Sequence, residues 1–210
     1  MLYSHNPMQD IPASANPQGP PGPPPEFETL KSISEPFMRR MYLVAVLTRY
    51  LSAQGRPIVV GGHAVEYYTL GQYPTGDVDI VCARRRELDA LLTAWGFTRE
   101  GRHWRNDSLQ LYIEAPAESL EGADPARVVE VEVEGLRLSV VGPEDLIADR
   151  LNGYVHWQYS EDGFWAEQII RGHGEALDWE YLGCRCAQDE TVQALQQMKN
   201  RWEAERGQGS

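Results

Sequence analysis

Cysteine is scarce in this chain: Cys82, Cys184 and Cys186 are the three among 210 residues. They form neither a disulfide framework nor a four-ligand zinc pattern. Cys184-Arg185-Cys186 has the wrong spacing for a redox pair, so the thiols read as buried or bystander groups. No apolar run approaches the ~20 residues that a membrane span needs, and no basic start followed by an apolar segment marks a secretory signal. The expectation is therefore a cytoplasmic protein with no membrane partner. Positive charge is also short, with 19 Lys and Arg against 31 Asp and Glu, a net charge of -12. Such a field repels polyanions and argues against counterion-release binding to DNA as a general mode. A small anionic ligand remains compatible with it, where local basic groups and a metal outweigh the global charge.

What is present is ordinary for a globular protein, with 42% hydrophobic and 24% charged residues. Residues 1–25 run into NPQGPPGPPPEF, too poor in apolar surface to order itself, and read as a disordered Pro-rich tail. From Phe37 to Leu51, Met38, Met41, Tyr42, Ala45, Val46 and Tyr50 follow helical spacing. A short apolar strand, Ile58-Val59-Val60, stops at Gly61-Gly62 and is followed by a helix over 63–70 and a turn at 73–76. Val78 to Cys82 reads as a second strand and Arg84 to Trp95 as an amphipathic helix ended by Gly96. Strands are expected near 97–99, 103–105 and 109–114, and VVEVEVEGLRLSVV reads as a hairpin turning at Glu134-Gly135. A helix from Gly142-Pro143 runs to about Trp157. The rest, to about Arg206, reads as helical with breaks near 172–174 and at Gly183. This order predicts an α+β fold, a mixed sheet with flanking helices, followed by a C-terminal helical extension. The expected division is tail 1–25, core domain 26–157 and extension 158–210.

Two short stretches carry chemistry. A glycine pair between strand and helix lets the backbone approach a ligand and leaves amide N–H groups at the helix start, a phosphate-binding geometry. An ordinary tight turn is the competing reading. In TGDVDIV, residues 75–81, Asp77 and Asp79 share one face of a strand, about 6.6 Å apart at ~3.3 Å per residue. Two carboxylates that close repel by roughly a few kcal/mol at an effective dielectric near 20. A hard divalent cation such as Mg²⁺ offsets that repulsion; a bare strand-edge pair in a turn is the alternative.

The combination of VVGG at 59–62 with DVDIV at 77–81 resembles the nucleotidyltransferase superfamily to which DNA polymerase beta belongs. It looks closest to the minimal nucleotidyltransferases, including those of toxin–antitoxin and abortive-infection systems. PEDLIADRL at 143–151 extends the resemblance more weakly, so that it covers about residues 37–157. The resemblance implies nucleotidyl transfer from a nucleoside triphosphate to a hydroxyl on a partner protein, tRNA or a small molecule. It also implies three carboxylates holding two Mg²⁺ (or Mn²⁺) ions. Asp77 and Asp79 match two of them. For the third, Glu114 in SLQLYIEAP comes first, where Ala115-Pro116 is expected to end strand pairing. Glu132 is the runner-up, although its regular alternation with Glu130 and Glu134 looks like a solvated face.

The family usually has Asp at this third place, and Lys where this chain has Arg150. Gly61, Gly62, His63 and Arg150 are the implied triphosphate contacts. Arg150 has an ordinary helix salt bridge with Asp149 as its competing reading, and His63 has helix capping or simple exposure. Arg84-Arg85-Arg86 reads as a solvated helix start. His156-Trp157 reads as core, with base stacking as the alternative. The departures from the family pattern leave a second function open: a nucleotide sensor or antitoxin-like protein-binding module on the same fold. A phosphohydrolase using the same acids is a third.

Overall fold

The computed structural model describes residues 22–207, so the expectation for residues 1–21 lies outside the described residues. The chain opens with α1 (Glu26–Ser32), which sequence periodicity did not reveal, followed by α2 (Pro36–Tyr50). Phe27 and Leu30 of α1 are buried, and the Phe27 ring meets Trp95 edge-on at 5.2 Å. Seven residues carry too few apolar positions to show a period, so α1 owes its place to tertiary packing. Glu35 caps α2 by accepting from the Phe37 and Met38 amides. Every residue from Arg40 to Leu47 is buried. A helix covered on all sides belongs inside a core rather than on its surface.

Then come β1 (Ile58–Val59), α3 (Gly61–Tyr68), β2 (Val78–Val81), α4 (Arg85–Ala94), β3 (Thr98–Glu100), β4 (His103–Asn106) and β5 (Leu111–Ala117). The hairpin β6 (Val129–Val133) and β7 (Leu136–Val140) turns at Glu134 and Gly135, both at positive φ, as a right-twisted two-residue turn requires. All seven strands form one mixed sheet in the order β3-β4-β5-β2-β1-β7-β6. β1 runs antiparallel to β2 and parallel to β7, while β2 runs parallel to β5. Helix α2 packs on β6 and β7, α3 on β2, and α4 on β3.

The Ala115-Pro116 pair does not end β5. Val81 still pairs with Ala117, across a register shift after the Asp79–Glu114 pair. Proline is tolerated in a strand where a bulge removes the need for its missing N–H.

The chain continues as α5 (Pro143–His156), α6 (Ser160–His173), α7 (Trp179–Gln188) and α8 (Val192–Gly207). α5 packs against α6 and α7, and α8 lies on both of those. The breaks fall at 174–178 and 189–191, so the break expected at Gly183 is absent: Gly183 lies inside α7. A lone glycine costs a helix only ~1 kcal/mol relative to alanine, which the burial of Leu182 and Cys186 on the same helix outweighs. One continuous core runs from Phe27 to Met198. Among the described residues, no helix is long and apolar enough to cross a membrane.

Candidate functional site

The site grows from the first turn of α3. Gly61 has φ +56°, and a Cβ there would lie 2.6 Å from Asp79 Oδ2. Glycine is thus required both by the backbone angle and by the carboxylate pressed against it. A Cβ on Gly62 would lie 3.0 Å from the Tyr73 ring. The Gly62 N–H donates to Asp79 Oδ2 at 2.8 Å, and the His63 N–H also points to that carboxylate. The helix-start amides are therefore not left free, as the bare motif suggests. The positive end of α3 is aimed at an acid from the neighbouring strand, where helix N-termini favour negative charge.

Asp79 is joined by two further acids. It stands directly opposite Glu114 in the parallel β2–β5 pair. Asp77 lies two residues earlier on the same face as Asp79, steadied by the Thr75 hydroxyl, which donates to it at 2.8 Å. One carboxylate oxygen from each of Asp77, Asp79 and Glu114 lies within 4.8 Å of the other two. Burial, then the charges of Asp77 and Glu114, push the Asp79 carboxyl up to about 6 against the opposing pull of the two amides. Hard oxygen donors clustered this closely suit Mg²⁺ or Mn²⁺. Glu114 is also ion-paired with Arg102, whose Nε lies 2.7 Å away, and His103 Nδ1 is 3.9 Å away.

Glu132 does not join this cluster. It lies on edge strand β6, three strands from β2 and so about 14 Å away at ~4.8 Å per strand, with an exposed side chain like Glu130 and Glu134. The sheet order separates it, and its alternation is that of a solvated face.

A cavity of about 460 Å³ opens beside the glycine turn, lined among others by Gly61, Gly62, Asp79, Arg150 and Arg185. Arg150 sits at its wall but is not a bare cation. It donates to Asp149 at 2.6 Å and to Asp162 at 2.8 Å, and the second bond ties α5 to α6. Arg185 had no signal in the sequence, because it is one arginine in a helix whose docking only the tertiary fold sets. Its Nε donates to buried Asp145 at 3.2 Å, and Tyr181 donates to the same carboxylate at 2.8 Å. Glu144 accepts from the Asp178 amide at 2.8 Å. The acids of PEDL thus clasp α7 as well as opening α5.

His63 is neither exposed nor a cap. Its ring is fully buried against Phe37, 3.5 Å from Glu66, which is bound by Arg40 at 2.6 Å. Burial is the largest influence and holds the imidazole below its ordinary range. The expectation that His156-Trp157 belongs to the core is also corrected. His156 Nε2 is bonded to the Asp189 carbonyl at 2.8 Å, and Trp157 is 70% exposed. The two stand where α5 ends, with α6 turning back rather than covering them. Of the arginine run, Arg85 is half-buried and donates to the Ala115 carbonyl, while Arg84 and Arg86 are exposed. Cys82 and Cys186 are buried and Cys184 exposed, all as free thiols.

No protein-family model matches the chain, and no curated protein matches it. An antigenic nucleotidyltransferase-like protein from Paracoccidioides brasiliensis is similar in structure, with TM-score 0.53 and 17% identity over 81% of this chain and 94% of that one. The solution structure of the antibiotic-resistance factor ANT(2'')-Ia gives a looser likeness on which nothing here rests: TM-score 0.42 and 17% identity over 87% of this chain and 97% of its own. The fold is nucleotidyltransferase-like: a mixed seven-stranded sheet flanked by helices.

Proposed function

We propose that this chain transfers a nucleotidyl group from a nucleoside triphosphate to a hydroxyl acceptor, with a divalent cation held by Asp77, Asp79 and Glu114. The single observation that carries the reading is the convergence of these three carboxylates within 4.8 Å beside a glycine turn. Mg²⁺ or Mn²⁺ bound there supplies charge neutralisation at the transferring phosphate. Asp77 and Asp79 would hold the cation together with one carboxylate oxygen of Glu114. Glu114 orients the acceptor hydroxyl and takes its proton as the acceptor oxygen bonds to the α-phosphorus. The bond from that phosphorus to the β-phosphate bridging oxygen breaks, and pyrophosphate leaves. The cavity beside Gly61 and Gly62 receives the triphosphate, and Arg150 at its wall faces the phosphates with the Asp149 and Asp162 pairs holding its fork in place. The acceptor is a partner protein, an RNA such as tRNA, or a small molecule, and no general DNA binding is proposed for a chain of net charge -12. A cytoplasmic location and kinship with toxin–antitoxin nucleotidyltransferases are parts of the same proposal.

The test is Mg²⁺- or Mn²⁺-dependent incorporation of labelled nucleotide into protein, RNA and small-molecule acceptors. Incorporation that disappears in Asp77→Asn supports the reading. Equal behaviour of wild type and variant under every triphosphate overturns it.

One observation favours a second reading, a nucleotide-sensing or antitoxin-like module without turnover. Arg102 lies 2.7 Å from Glu114 and supplies positive charge where the acceptor's base must be free. Calorimetry separates the two, since a sensor binds nucleotide without releasing pyrophosphate.

A further inference from the structure

We infer that the acceptor is a single-stranded RNA end, received on the open sheet face that carries His103, Arg105 and Tyr112; this rests on the nucleotidyl-transfer reading above. Residues paired directly across neighbouring strands share one face of a sheet. Glu100 pairs with His103, His103 with Glu114 and Glu114 with Asp79, so one row crosses four strands and ends in the acid cluster. Arg105 and Tyr112 form a further pair on that face. The opposite face is covered, with Trp104 donating to Asp89 of α4 at 2.8 Å. On the row's own face Glu100, His103, Arg105 and Tyr112 are all exposed.

A second cavity, of about 450 Å³, is set in this face and lined among others by Asp77, His103, Arg105 and Tyr112. Asp79 lines the cavity beside the glycine turn and Asp77 lines this one, so the acid cluster stands between the two. In-line displacement at phosphorus brings the attacking oxygen in from the side opposite the leaving group. A triphosphate in the first cavity therefore leaves the second to the acceptor.

Charge and ring chemistry say which acceptor fits. Three of the four residues 102–105 are basic, Arg102, His103 and Arg105, in a chain of net charge -12. Arg102 lies 2.7 Å from Glu114 and Arg105 lies 3.1 Å from Glu100, yet both arginine side chains are about half exposed. Bridges to such exposed side chains contribute little, and a phosphodiester competes for the same guanidinium forks. A divalent cation on the three acids removes their repulsion of that phosphate. Tyr112, 42% exposed and directly opposite Arg105, offers a ring on which an unpaired base stacks. Cations interleaved with an aromatic ring on an open surface suit single-stranded nucleic acid, whereas Arg102 and Arg105 repel a cationic small molecule. The terminal ribose hydroxyl gives its proton to Glu114 as its oxygen bonds to the α-phosphorus, and pyrophosphate leaves. An RNA phosphate that draws Arg102 away also frees Glu114 to accept that proton.

A fluorescent oligoribonucleotide with a free 3′ hydroxyl is titrated with the full chain in Mg²⁺ and followed by anisotropy. Its extension by labelled triphosphate is measured separately. Tyr112→Ala is expected to weaken RNA binding about tenfold, the lower part of the range for losing one base stack. Triphosphate binding by calorimetry should stay unchanged in that variant. Tyr112→Phe keeps the ring and should bind RNA as wild type does. Arg105→Ala should weaken RNA binding and reduce the slope of log affinity against log salt by about 0.7, one phosphate contact on a single strand. Arg105 is exposed, so this variant tests the face even if Tyr112→Ala fails to fold. A wild type that labels proteins or small hydroxyl compounds, while neither binding nor extending RNA, overturns the inference and leaves the transfer reading intact. RNA binding equal in wild type, Tyr112→Ala and Arg105→Ala overturns the placement on this face. A wild-type chain that binds no triphosphate overturns the transfer reading itself.

Discussion

Asp79 and Glu114 stand directly opposite each other on parallel strands β2 and β5, with Asp77 two residues before Asp79 on the same face. Burial first, and then the neighbouring charges of Asp77 and Glu114, make an ionised Asp79 costly, and its carboxyl is displaced up to about 6. Folds retain such destabilised constellations at sites where they serve function.

Removing that charge is therefore expected to stabilise the metal-free chain. Asp79→Asn keeps an acceptor for the Gly62 amide and deletes a raised carboxylate. Between the ordinary carboxyl range near 3.8 and about 6 the unfolded chain is ionised while the folded one still holds its proton, so this group makes stability fall as pH rises through that window. The variant should be more stable than wild type at pH 7 by on the order of 2 kcal/mol, with the difference shrinking towards zero near pH 4. Urea unfolding across pH 4 to 7 measures it. A variant no more stable at pH 7 removes the electrostatic argument.

Gly61→Ala should be costly. It forces alanine to φ +56° and drives a Cβ to 2.6 Å from Asp79 Oδ2. Backbone strain of about 1–3 kcal/mol is expected, with displacement of Asp79 added to it. Gly71 is the control: its φ is +82° but nothing lies within 4 Å of a Cβ, so Gly71→Ala should pay the backbone penalty alone and leave the site intact. Denaturant midpoints of the two variants are the comparison.

Glu114 and Glu132 offer a contrast in activity. Under the proposed reaction, Glu114→Gln should lower turnover by about 10²-fold or more, the scale of a lost proton acceptor. Glu132→Gln, on an exposed edge strand, should change nothing measurable. Equal loss in both variants, or in neither, would remove Glu114 from its role.

Arg185→Ala tests the clasp on α7. The Asp145 and Arg185 side chains are only 3% and 9% exposed. Removing the arginine strands a buried carboxylate already pushed up by burial and should cost about 3–5 kcal/mol. Replacing both residues by apolar ones of similar size should cost much less. Thermal unfolding of the single and double variants gives the coupling between them.

What the sequence by itself determined is local. The glycine pair, its following helix and the Asp-x-Asp strand lie within about twenty consecutive residues, and backbone stereochemistry fixes their relation wherever the chain goes. The hairpin at Glu134-Gly135 is legible for the same reason: alternation with period two and a turn that tolerates positive φ need no distant partner. Tertiary structure decided the rest. Glu114 and Glu132 are equally acids on apolar strands, and only the order β5-β2-β1-β7-β6 puts one beside Asp79 and the other at the sheet's far side. His63 and Trp157 exchange their expected environments, one fully buried and the other exposed, because helical periodicity records which residues share a face but not what packs against it. Arg185 reaches the cavity wall only because α7 docks on α5. Side-chain pattern specifies an element. The long-range packing that closes one core from Phe27 to Met198 specifies which elements meet, and so which acids stand together.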